Sequence, residues 1–286
     1  MKGNVISEDP FSKALYLYGK GEYFHASIEF ERAVFYQTDL VKIAYSQYYK
    51  SLCYKNMGQT ERALDQLQSI NVFKLPDTLF FKIKYEQALN NFLSGNHTQS
   101  IWNINDIKSR INDSLLLIQI VPLNILCLNA DRNWEEAGRL LRYLIKVSTA
   151  DSVKRAEVLR EADSQYLKRN LPEFRSEKKA ETLSRFVPGS GQIYCGKVFE
   201  GSFNFLMNAS LLGFSLYEFY TKYYFAGYVA GLTLFNKTYH GGMHRASYLA
   251  REKNNESISG FNMETLDLLS KIYEGSENHN IPAVIK

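Results

Sequence analysis

The chain has 286 residues, 45% of them hydrophobic and 22% charged, with a formal net charge of +4. The hydrophobic share excludes wholesale disorder, and the length allows one large or two ordinary domains around a sizeable core. The charge is too mild to argue for nucleic acid.

The three cysteines, Cys53, Cys127 and Cys195, lie far apart and lack C-x-x-C spacing, so they read as small apolar packing residues and not as metal ligands. Residues Met1 to Asp9 lack the basic start and apolar core of a secretory leader. Either the chain is not exported or a leader has been trimmed.

The N-terminal half carries an internal repeat. Gly21-Glu-Tyr-Phe-His-Ala26, Gly58-Gln-Thr-Glu-Arg-Ala63, Gly95-Asn-His-Thr-Gln-Ser100 and Arg132-Asn-Trp-Glu-Glu-Ala137 follow one another at steps of 37 residues. Flanking positions keep the step: Phe30, Leu67, Ile104 and Leu141; Ala33, Ile70, Ile107 and Leu144; Ala14, Ser51, Ala88 and Ile125. Each unit reads as two helices joined by a tight turn, with glycine ending the first helix. The small residue early in the second helix lets the pair approach closely, and the larger residues continue its buried face. One pair cannot bury its face alone, so neighbours must stack.

This pattern resembles the tetratricopeptide repeat over roughly Pro10 to Ser148, with the family's turn glycine, aromatic and small alanine at Gly21, Tyr23 and Ala26. The family period is about 34 residues, so the turns between units should be longer here. Arg132 replaces the glycine in unit four, and Pro122 falls inside its first helix, which is expected to kink or start late. Val153, Ala156, Leu159, Ala162 and Tyr166 recur at helical spacing and predict a closing helix over Ser152 to Asn170 with a charged outer face.

Beyond it the character changes. Residues 171–187 read as a charged linker. Two apolar stretches follow, Gly201 to Phe219 and Tyr223 to Phe235, separated by Lys222, and then a polar tail over 254–286 with one amphipathic segment at Leu266, Leu269 and Ile272. Gly191 to Lys197 has phosphate-loop spacing, but Val198 stands where Ser or Thr is required and no strand precedes it. Pro188, Gly189, Gly191, Gln192, Tyr194, Gly196 and Gly201 instead resemble the Pro-Gly-x-Gly-Gln-x-Tyr-x-Gly signature that opens a small two-helix membrane domain in bacterial proteins. The resemblance covers about Phe186 to Lys253 and implies membrane location without a settled activity.

Ala209/Gly213 and Gly227/Gly231 have the spacing that lets lipid-embedded helices pack closely, and Tyr217, Phe219, Tyr220, Tyr223 and Tyr224 form a candidate interfacial belt. Asn204, Asn208 and Glu218 are polar, and the second run is shorter than a span of about 20 residues. Lys237 and His240 must then snorkel, or the helices lie in the interface.

No catalytic constellation stands out. His240 and His244 share a helical face without the zincin glutamate, Ser190 lacks a nucleophile elbow, and Glu135/Glu136 read as solvated. In the tetratricopeptide family the first helices of each unit line a groove. Alignment puts Tyr45, Tyr48, Tyr49, Lys55 and Asn56 of unit two, and Lys82 and Tyr85 of unit three, at groove-facing positions. Such a groove suits an extended peptide or a partner helix.

The expected protein is therefore all-α. A tetratricopeptide-like right-handed α-solenoid over 10–170 is followed by a hydrophobic helical hairpin over 188–253. It is expected to be a membrane-anchored scaffold without enzymatic activity, cofactor, metal or nucleic acid. Its partners are a protein or peptide in the groove and a lipid bilayer along 201–240. A non-scaffold subunit of a membrane enzyme or transporter complex, or a soluble repeat adaptor, are the alternatives. Lys178, Lys179 and Arg185 before the hairpin, and Arg245, Arg251 and Lys253 after it, place both flanks in the cytoplasm of a bacterial inner membrane, with the repeats periplasmic if a leader was removed.

Overall fold

The computed structural model describes residues 9–274, so the end of the expected polar tail, 275–286, lies outside them. The described residues are all-α, without a strand. They form two compact units. The first comprises residues up to Tyr166 and those from Thr265 on; the second runs from Leu167 to Glu264 and is an insertion in the sequence of the first.

The first unit begins with four helix pairs: α1 (Pro10–Gly19) and α2 (Tyr23–Tyr36), α3 (Leu40–Asn56) and α4 (Thr60–Gln68), α5 (Asp77–Leu93) and α6 (His97–Arg110), α7 (Ser114–Ala130) and α8 (Trp134–Ser148). The turn inside each pair repeats the same geometry. Gly21, Gly58, Gly95 and Arg132, at the 37-residue step, all have positive φ, from 63° at Arg132 to 80° at Gly21. The next amide then reaches back to a carbonyl five residues earlier: Glu22 to Leu17 at 3.0 Å, Gln59 to Tyr54 at 2.9 Å, Asn96 to Asn91 and Asn133 to Leu128 at 2.8 Å. A left-handed residue there satisfies the orphan carbonyls of the first helix.

The small residues follow the same register. Ala26, Ala63, Ser100 and Ala137 are at most 1% exposed, as are Phe30, Leu67, Ile104 and Leu141. Ser100 is tolerated because its hydroxyl donates to the Ala88 carbonyl at 2.7 Å. α7 runs unbroken through Pro122, which is buried, so it does not start late.

α9 (Ser152–Gln165) buries Val158 and Ala162, with Leu159 and Tyr166 against the same cluster, while Val153 and Ala156 of the expected stripe are exposed. Its charged face is not a free outer cap. The end of α14 (Thr233–Tyr273) adds Leu268, Leu269 and Ile272 to the core shared by α7, α8 and α9. Lys271 reaches Glu161 at 2.6 Å, and Lys154 donates to the Glu274 carbonyl at 2.7 Å. Thr265, fully buried, accepts from Asn129 at 3.2 Å and from Gln165 at 3.1 Å. Tyr166 donates to Asn129 at 2.9 Å. This network ties the point where the chain leaves the first unit to the point where it returns. The amphipathic segment read in the tail is thus part of the repeat core.

In the second unit the stretch expected as linker holds α10 (Glu177–Phe186), capped by the Ser176 hydroxyl, which accepts from the Lys179 amide at 3.2 Å. α11 (Ser190–Tyr194) and α12 (Val198–Tyr220) follow. A turn at Lys222 (φ 69°) leads to the short α13 (Tyr224–Ala226), a π-helical segment over Gly227–Leu232, and α14.

Candidate functional site

Of the groove residues, most are structural. Tyr48 and Tyr85 are 8% exposed. Tyr48 and Tyr45 belong to the core around Leu67 and Leu79, and Tyr85 stacks on Phe81 with centroids 5.8 Å apart. Tyr49 stacks on Phe30 at 5.6 Å and meets Phe11, Tyr18 and Tyr48 edge-on. Lys55 is paired with Glu86 at 2.7 Å, and Asn56 donates to the Leu52 carbonyl at 2.9 Å and to the Tyr18 hydroxyl at 3.3 Å. Lys82 and Asn56 alone of the set are exposed. Tyr48 is held by burial, which pushes its hydroxyl pKa up.

The open apolar surface of the first unit lies elsewhere. A cleft of about 610 Å³ is lined by Phe24, Ile28 and Phe35 of α2, Tyr54 of α3, Met57 just past its end, and Arg62 of α4. Phe24, Ile28 and Phe35 stand on the face of α2 away from the buried Ala26, Phe30 and Ala33. Lys50 and Glu31 pair at 2.6 Å within it. The signal was in the sequence: α2 is apolar on two faces, and among the described residues Phe24, Ile28 and Phe35 of the second face stay exposed.

In the second unit the Pro-Gly-x-Gly-Gln segment is where α10, α11, α12 and α14 meet. Gly189 (φ 90°) caps α11, and a Cβ there would stand 1.9 Å from the Gly201 carbonyl oxygen. A Cβ on Gly191 would stand 2.1 Å from the Ala180 carbonyl oxygen and 2.7 Å from the Ala246 Cβ. One on Gly201 would meet the Gly189 oxygen at 2.4 Å. Gln192, buried, donates to the Gly242 carbonyl at 3.1 Å and accepts from the Ser184 hydroxyl at 3.1 Å, which itself accepts from the Gly191 amide at 3.0 Å. Tyr194 accepts from the Ser176 amide at 3.3 Å, and Gly196 (φ 86°) makes the turn into α12. Pro188 precedes the Gly189 cap. The role of this segment is to fix helices at backbone contact distance.

The helices beyond it are inverted. Facing inward are Asn208 (1% exposed), Ser215 (0%), Gly227, Gly231 and Gly242. Asn208 donates to the Asn204 carbonyl at 2.8 Å and accepts from Thr238 at 2.9 Å; Ser215 donates to the Gly227 carbonyl at 2.8 Å. Facing outward are Phe199, Phe203, Leu206, Leu216, Phe225, Tyr228, Val229 and Leu234. Of the small pairs, Gly227 and Gly231 do meet the opposite helix, at Ser215, whereas Ala209 and Gly213 are exposed. Of the aromatic belt, Tyr217, Tyr220, Tyr223 and Tyr224 are exposed and Phe219 is half-buried.

No helix among the described residues is long and apolar enough to cross a membrane, which corrects the expectation of a transmembrane span. The physical reason in α12 is Glu200, Asn204, Asn208 and Glu218, which dilute a 23-residue helix. Among the described residues no group of three or more His, Cys, Asp or Glu side chains could hold a metal; His240 and His244 are both exposed. Comparison with protein-family models, with curated proteins and with solved structures finds no match to this chain.

Proposed function

We propose that this protein is a non-enzymatic, membrane-anchored scaffold. Its N-terminal unit is a tetratricopeptide-like right-handed solenoid that presents a surface to a protein or peptide. Its inserted unit is an apolar helical hairpin that sits in the interface of a bilayer and does not span it. The observation that carries this reading is the inverted hairpin. Water-facing helices bury apolar residues and expose polar ones; here Asn, Ser and Gly are inside and Phe, Leu and Tyr outside. An apolar surface of this extent on a soluble monomer marks an interaction site, and a hairpin with internally satisfied polar groups fits an apolar medium. The resemblance to the bacterial two-helix membrane domain and the basic flanks support the cytoplasmic leaflet of an inner membrane.

The protein-binding surface on this reading is the α2–α3–α4 cleft together with Lys82 and Asn56, the accessible part of the aligned groove. The anchor is tested by flotation of the full chain with phosphatidylcholine vesicles. Wild type floats, and a Phe199→Ser/Phe203→Ser/Phe225→Ser variant stays at the bottom with an unchanged melting curve. Wild type that never floats removes the membrane from the proposal and favours a protein cover for the same face. The scaffold is tested with a photo-crosslinker at Phe35 or Lys82 in cells: one recurrent adduct supports it, and none at either position refutes it.

A further inference from the structure

Two cations of the second unit converge on one aromatic ring. The Arg175 guanidinium carbon stands 5.1 Å and the Lys179 ammonium 5.2 Å from the centroid of Tyr194. Each arm is anchored. Arg175 exchanges backbone hydrogen bonds with the buried Asn254 side chain, donating to Oδ1 at 2.7 Å and accepting from Nδ2 at 2.9 Å. The Lys179 amide donates to Ser176 Oγ, and Tyr194 Oη accepts from the Ser176 amide. Three other cations of the unit are paired with carboxylates, Arg185 with Glu181, Arg245 with Glu200 and Lys253 with Glu256; what sets Arg175 and Lys179 apart is their convergence on one ring. Among the described residues Arg175 and Lys179 have no carboxylate within ion-pair distance, and the neighbouring Glu173 and Glu177 pair with neither.

The unit as a whole is basic. Residues 167–264 hold 12 Lys and Arg against 8 Glu and no Asp, which is the whole +4 excess of the chain. The same unit exposes apolar side chains on the helix of Lys179 and on α12. Phe186 and Val187 at the end of α10 and Val198 and Phe199 at the start of α12 are all exposed. Lys179 and Phe186 are seven residues apart on α10, about 10 Å along the helix. That is close to the polar layer of one leaflet, roughly 5–8 Å thick.

We propose that Arg175 and Lys179, presented over Tyr194, bind the phosphate of an anionic phospholipid headgroup while the adjoining apolar helices enter the acyl region. Arg and Lys donate to phosphate oxygens with charge-assisted hydrogen bonds, and an unpaired pair of cations beside a lipophilic edge matches a negative, lipid-bearing ligand. The inference rests on the interfacial reading of the hairpin.

The experiment is flotation of the full chain with vesicles of phosphatidylcholine alone and of phosphatidylcholine with phosphatidylglycerol. Wild type binds both and prefers the anionic vesicles. Arg175→Gln/Lys179→Gln loses the preference, by roughly 10-fold, and keeps binding to the neutral ones. Lys179→Gln alone, which breaks no backbone hydrogen bond, moves the same way. Lys168→Gln/Arg169→Gln removes the same formal charge from the same unit and keeps the preference. Equal loss in both double variants assigns the effect to net charge and overturns the site. Equal binding of wild type to both vesicles overturns the site and leaves the anchor standing. No binding to either removes both. A titration of vesicle-free protein with inorganic phosphate separates the sources: saturation only in the millimolar range supports the lipid, and tight saturation in the micromolar range overturns it in favour of free phosphate.

Discussion

The two units use the same local device and reverse what it buries. A left-handed residue closes the α1–α2 turn at Gly21 and the turn after α12 at Lys222. In both, the amide directly after that residue bonds back five residues, Glu22 to Leu17 and Tyr223 to Glu218. The repeat pair then buries Ala26, Phe30 and Ala33, whereas the hairpin buries Asn208, Ser215 and Gly231. Backbone geometry is therefore indifferent to surroundings. The side-chain pattern is what differs, apolar residues inside one pair and small or polar residues inside the other.

The largest expected effect separates the two directly. Phe30→Ala removes a fully buried ring and should cost about 3–5 kcal/mol of stability. Phe199→Ser changes a ring that is 87% exposed and should stay within about 0.5 kcal/mol. Chemical denaturation of both variants measures the contrast. Similar losses would mean that the hairpin surface is covered in the free protein, and the inversion would not stand.

Glycines sharpen the comparison next. Gly21 and Gly189 both have positive φ, but a Cβ at Gly21 meets nothing within 4 Å and one at Gly189 collides with backbone at 1.9 Å. Gly21→Ala should cost about 1 kcal/mol, the left-handed penalty alone. Gly189→Ala should cost about 3 kcal/mol or more, since backbone must move as well. In the opposite direction, Arg132 already carries the left-handed penalty in the fourth turn, at φ 63°. Arg132→Gly should raise stability by about 0.5–1 kcal/mol, the relief being partly offset by the greater freedom of glycine when unfolded. A melting curve shifted downward would mean that contacts of the Arg132 side chain outweigh the strain.

The helical class and the four turn positions are legible in the sequence because one period repeats four times, and each repeat places a residue where sterics allow few types. The Gly189, Gly191 and Gly201 contacts are not read from spacing, which marks these residues only as part of a resembled signature. The groove is less legible. Tyr is amphipathic, and spacing does not say whether Tyr48 or Tyr85 shows its ring to a ligand or to the next helix. The α2 cleft does not show in the repeat register, because Phe24, Ile28 and Phe35 belong to one unit only. The return of Leu268, Leu269 and Ile272 to the repeat core is a contact across more than a hundred residues of chain, which local periodicity does not encode. That no described helix is long and apolar enough to cross a membrane depends in α12 on Glu200, Asn204, Asn208 and Glu218.

The smallest effect concerns the thiols. Cys53 and Cys127 of the first unit are fully buried, and burial pushes both up to about 12. Cys195 of the second unit is also raised by burial, but the Arg175 guanidinium works the other way, and its Sγ donates only a long bond, 3.6 Å, to the Ala246 carbonyl. The thiolate is the nucleophile, so alkylation follows the thiolate fraction and access. Native protein at pH 8 should react slowly, with Cys195 labelled before Cys53 and Cys127, as peptide mass mapping after iodoacetamide would read. Arg175→Gln should slow Cys195 further and leave the other two unchanged. The same shifts carry a stability term whose sign is fixed. The folded state holds these protons more tightly than the unfolded state, whose thiols titrate near about 8.5. The contribution is therefore fully present below that pH and is lost as pH climbs toward 12. Labelling of Cys53 or Cys127 ahead of Cys195 would place the looser packing in the repeats, and the division between a dry repeat core and a more open hairpin base would have to be redrawn.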